Sequence, residues 1–68
     1  MSKAATFLRK VDLFDDRRAL VATVSVRIPV DAVEDVADDK ASGAMSRWVG
    51  RNVGLSRLGY YSWDWAAT

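Results

Sequence analysis

Side chains that run acid-base or covalent chemistry near neutral pH are largely missing from this chain, which contains no histidine and no cysteine. General acid-base catalysis needs a group that titrates near neutrality, and a nucleophile needs a base beside it. Ser2, Ser25, Ser42, Ser46, Ser56 and Ser62 have only carboxylates, lysines and tyrosines as activators. None of them stands in a G-x-S-x-G turn. The expectation is a protein that is not an enzyme.

Carboxylates are the next candidates. Asp31, Glu34, Asp35, Asp38 and Asp39 form an acidic run. Calcium and magnesium take oxygen ligands, but the spacing does not match an EF-hand loop and no glycine occupies the required turn. The run reads instead as the first half of a helix, where acidic side chains complement the macrodipole. Asp35, Asp38 and Asp39 then present an acidic face to a basic partner surface. Neither a metal nor a cofactor is expected.

Arginine is the side chain best suited to bidentate contact with phosphate or carboxylate. Arg17 and Arg18 close the tetrapeptide Asp15-Asp16-Arg17-Arg18, and Arg47, Arg51 and Arg57 make the C-terminal half locally basic. These five are the candidates for contact with nucleic acid, although no helix-turn-helix, KH or RNP motif accompanies them. Gly50-Arg51-Asn52-Val53-Gly54 lacks the lysine and hydroxyl ending of a P-loop, so its glycines read as helix stops and turns.

Between Trp48 and Trp65 lie three tryptophans and two tyrosines. Most of these rings can pack in a core, but tryptophan, tyrosine and arginine are also the types enriched at interface hot spots. Tyr60, Trp63 and Trp65 are the candidate partner-binding aromatics, with Trp65 expected as an exposed anchor. Stacking of nucleic-acid bases on these rings is weakened by Asp64 between the two tryptophans, although alternation turns Asp64 to the opposite face, and the face bearing Lys10, Arg27 and Tyr60 stays open to it.

These residues must be positioned by a small number of elements. From Leu20 the even positions read Leu20, Ala22, Val24, Val26, Ile28 and Val30, with Thr23, Ser25 and Arg27 between them, which predicts a strand. Ala5, Phe7, Val11 and Leu13 share a parity that Arg9 interrupts, predicting a weaker strand upstream. The tetrapeptide from Asp15 to Arg18 suits a hairpin loop built round a type I turn, so the two strands pair antiparallel. Pro29 places the second strand at a sheet edge, because its missing N–H is tolerated there.

Asp31 stands three residues before Glu34, an acidic form of the capping-box spacing, and predicts a helix from about Ala32. Val33, Val36, Ala37, Ala41, Ala44, Met45, Trp48 and Val49 then recur at helical steps. Ser42-Gly43 marks a kink or split, and Gly50 and Gly54 are the stops. Arg57 to Ala66, rich in aromatics, predicts the third strand, with Tyr61, Trp63 and Trp65 on one face. The order ββαβ predicts a small α+β domain over residues 1–68. Its three-stranded antiparallel sheet has order 2-1-3, with the helix on one face by a right-handed crossover. A sheet extended across a homodimer is the alternative.

Half of the 68 residues are hydrophobic, 28% are charged and the net charge is +1. That balance predicts a folded chain of thin stability, without disulfide or zinc support and without broad affinity for nucleic acid or membrane. Met1-Ser2-Lys3 does not lead into a secretory signal, and no run approaches about 18 apolar residues, so the cytoplasm is the expected location. The expected function is a protein-binding module, either an assembly subunit or a stoichiometric inhibitor of a larger complex. Small inhibitors of this kind occur on phages and mobile elements, anti-CRISPR proteins among them, though no motif ties this chain to them. The alternative is a small dimeric regulator that grips nucleic-acid phosphates with arginines.

Overall fold

Two alternating runs of side chains build most of the sheet. In the computed structural model, which describes residues 5–67, strand β1 is Thr6–Phe14 and strand β2 is Leu20–Pro29. Ser2 and the Met1-Ser2-Lys3 start lie outside the described residues. The strands pair antiparallel from Thr6 opposite Pro29 to Leu13 opposite Ala22, and a bulge then sets Phe14 opposite Leu20. Strand β3, Ser62–Trp65, pairs antiparallel with the other side of β1 and places Trp65 opposite Val11 and Trp63 opposite Leu13. The strand order is therefore β2-β1-β3, with Pro29 on an edge strand as expected.

The hairpin loop is tighter than the expected tetrapeptide turn. The Asp15 N–H donates to the Ala19 carbonyl, and the Arg18 N–H donates to the Asp15 carbonyl, both at 3.0 Å. This leaves a three-residue loop whose last residue, Arg18, has φ +63°. Asp15 stabilises the loop through its side chain: Oδ1 accepts from the N–H of Arg17 at 2.9 Å and of Ala19 at 3.0 Å.

Helix α1 spans Glu34–Asn52 without a break, so the Ser42-Gly43 pair does not split it. Its start also differs from the capping-box expectation. The Ala32 N–H donates to the Pro29 carbonyl, so Asp31 belongs to a turn that leads out of β2. Val33 occupies the N-cap position with no side-chain cap, and Glu34 and Asp35 supply the acidic first turn. The helix stops where the Val49 carbonyl accepts from both Val53 and Gly54. Gly54 takes φ +129°, a conformation other residues rarely adopt, whereas Gly50 lies inside the helix.

Residues Leu55–Tyr60 form a 3-10 helix rather than the first half of the expected strand. A strand needs a partner, and β1 ends at Phe14, opposite Ser62. The preceding residues have no ladder to join, so they close their hydrogen bonds locally: the Arg57 N–H donates to Gly54 and the Tyr61 N–H to Leu58.

The core lies between one sheet face and α1. It consists of Val11, Leu13, Val26 and Ile28 from the sheet and Ala37, Ala41, Ala44, Met45 and Val49 from the helix. The three alanines bring the helix backbone close to the strands. Among the described residues no polar or charged residue is buried, and no buried side-chain polar atom lacks a partner. Among the described residues, no helix is long and apolar enough to cross a membrane.

Candidate functional site

Trp63 and Trp65 lie on the helix-facing side of β3, paired with the buried Leu13 and Val11, and both are half-buried. Their rings meet edge to face, 5.3 Å between centroids at 77°. The Trp65 indole Nε1–H donates to Asp38 Oδ1 at 3.2 Å, which ties β3 to α1. The Arg9 guanidinium covers the other side of Trp65, 3.8 Å from the ring centroid, and lies 3.8 Å from the Glu34 carboxylate. Trp65 is thus a packed tether, which corrects the expectation of an exposed anchor. Arg9, the residue that broke the alternation of β1, forms the polar lid of this cluster.

The remaining candidate partner residues are not gathered around Trp65. Tyr60 is 51% exposed and carries Arg57 over its ring at 4.8 Å. Together with Arg17, Tyr61, Asp15 and Asp16 they line an open cavity of about 300 Å³ between the hairpin loop and the 3-10 helix. Asp35 is exposed, and Asp39 lies on the flank of α1 that faces β2. Trp48 is half-buried and meets Tyr61 at 6.1 Å, tilted 56°.

The five candidate arginines also divide. Arg17 and Arg57 line the cavity at the hairpin end, and Arg18 lies in the same loop. Arg47 and Arg51 line a different feature, a groove between α1 and β2. The groove consists of two adjoining cavities of about 200 and 380 Å³ that share Ser25 and Arg47. Val24, Ala44 and Trp48 line one part, and Arg27, Asp39, Lys40 and Gly43 line the other. Among the described residues, none of Lys40, Arg47 and Arg51 lies within 4.0 Å of a carboxylate.

Beside this groove runs the open edge of β2. The Val30 N–H donates to the Ala5 carbonyl, which fixes the phase of the antiparallel ladder. Ala22, Val24, Val26 and Ile28 therefore turn their backbone groups toward β1, while Thr23, Ser25 and Arg27 turn theirs outward. Pro29 has the outward phase too, so its missing N–H costs the sheet nothing. The hydrogen bond from Ala66 N–H to the Lys10 carbonyl agrees with this phase, since it turns the even residues of β1 toward β3.

Composition alone does not show the groove, because Lys40, Arg47 and Arg51 simply follow the acidic run and make the chain locally basic. Their spacing of seven and four residues carried the signal, because it sets all three on one flank of a helix. What stayed hidden was that this flank would overhang the outer edge of β2.

Comparison with family models, curated proteins and solved structures finds no match to this chain. The fold and its surfaces define a small α+β domain in which, among the described residues, the outer edge of β2 is open and flanked by cations.

Proposed function

We propose that this domain is a non-enzymatic module that binds another protein, and that the outer edge of β2 with its groove is the contact surface. The observation that carries this reading is the edge from Thr23 to Arg27, unpaired among the described residues and set beside a groove lined by side chains of α1. Main-chain groups on such an edge give affinity to an added strand, and neighbouring side chains give selectivity. The aromatic surface around Trp63 and Trp65 supports the reading less well, because both rings are half-buried and Trp65 is held by Asp38 and Arg9. A module of this kind acts by occupancy, as an assembly subunit or as a stoichiometric inhibitor of a larger complex.

The competing reading is a nucleic-acid regulator built on the arginines. The division of these arginines between the cavity at the hairpin end and the β2 groove supports it less well. Affinity capture from the cell of origin, with and without nuclease, tests the two. Wild type is expected to retain a partner protein at about equal molar amount, and Ser25→Pro to lose it while keeping its far-ultraviolet circular dichroism. Retention that disappears with nuclease, or binding to random DNA and RNA that fades steeply with salt, would replace this reading with the second.

A further inference from the structure

We infer that the occupant of the β2 edge is an acidic, extended segment of the partner, which adds to the sheet as a fourth strand beside Thr23–Arg27. This deepens the protein-binding reading and rests on it. The edge itself selects for a peptide. Thr23, Ser25 and Arg27 each turn one N–H and one C=O outward, so the complementary ligand must offer donors and acceptors in alternation. Another polypeptide does this, whereas a phosphodiester backbone has acceptors only and would leave the three carbonyls opposed to its oxygens. The five-residue stretch spans roughly 16 Å at about 3.3 Å per residue.

Charge selects the kind of peptide. Side chains of an added strand alternate between the two sheet faces, and those on the helix side enter the groove. There they meet Lys40, Arg47 and Arg51 against the single carboxylate of Asp39. Glutamate or aspartate at every second position would pair with these cations. The half-buried Trp48, with Val24 and Ala44, offers one apolar contact at the end near Asn52.

The same cations oppose a second copy of this chain as occupant. Pairing β2 with β2 about a two-fold axis sets α1 beside α1 on one sheet face. The flank bearing Lys40, Arg47 and Arg51 then faces its own image, and like charges brought together this way are repulsive. An acidic strand removes that repulsion.

The test uses the full chain and fluorescence anisotropy with four labelled probes. They are a ten-residue peptide alternating glutamate and valine, its lysine-valine counterpart, the acidic peptide with proline at every third position, and oligo-dT. Only the first is expected to bind at low salt, with amide shift changes centred on Thr23, Ser25 and Arg27. Ser25→Pro and the double variant R47E/R51E are each expected to weaken it by about tenfold or more. The double variant replaces exposed side chains, so it keeps the test valid should proline at 25 disturb the strand.

Three outcomes would overturn the inference: no binding of the acidic peptide, binding insensitive to both variants, or oligo-dT binding equally well. Edge amide shifts that depend on protein concentration alone would assign the edge to a second copy and overturn it as well. If the native partner is captured and lost with Ser25→Pro while the acidic peptide does not bind, only the acidic chemistry fails. If neither is bound, the protein-binding reading fails with it.

Discussion

Arg18 closes the β-hairpin at φ +63°, a place where glycine or asparagine is the usual occupant. A side chain with a Cβ costs roughly 1 kcal/mol there, and no hydrogen bond or ion pair of Arg18's own side chain offsets it among the described residues. Arg18→Gly is therefore expected to raise stability by about 1 kcal/mol in urea unfolding, and an unchanged or lower midpoint would show that the loop relaxes without it. The turn itself was legible, because Asp15 before two polar residues suits a side-chain cap. Its length was not, because nothing local separates a four-residue loop from a three-residue loop with Arg18 in the left-handed region. Trp65 teaches the same lesson at a larger distance. Its strand and face follow from alternation, but its anchoring by Asp38 and Arg9 depends on contacts across 27 and 56 positions of chain.

At the scale of elements, α1 was readable along its length and less so at its ends. Alternation in β2, helical steps from Val33 to Val49 and the edge position implied by Pro29 all agree with the fold. The start moved from Ala32 to Glu34 because the turn at Pro29 claims Asp31. The third strand shortened to four residues because β1 offers no partner before Ser62. Gly43 lies in the unbroken middle of α1, and a Cβ built there would meet only Arg47 Nη1, at an ordinary 3.6 Å. Gly43→Ala is therefore expected to stabilise the domain by about 1 kcal/mol, measured as a raised urea midpoint with unchanged slope. Loss of stability instead would mean that this glycine relieves strain in the helix after all.

The whole molecule has little interior to spare. Val11, Leu13 and Val49 are its largest fully buried side chains, and the domain is elongated, 44 × 24 × 18 Å. Leu13 touches both neighbours of the central strand, being opposite Ala22 and Trp63. Leu13→Ala is expected to cost about 3 kcal/mol, enough to leave much of so small a domain unfolded at 37 °C. Leu8→Ala, at a site 62% exposed on the opposite sheet face, is expected to change stability by less than about 0.5 kcal/mol. Equal losses from the two in chemical denaturation would mean that the open face is covered in solution.

The perpendicular indoles of Trp63 and Trp65 have a further use. Two chromophores whose ring centroids lie 5.3 Å apart are expected to couple their electronic transitions and to split a circular-dichroism band that separated rings do not split. The molecule thus carries its own optical gauge: the split band reports whether the four-residue strand is seated on β1, independently of helix content and without any label.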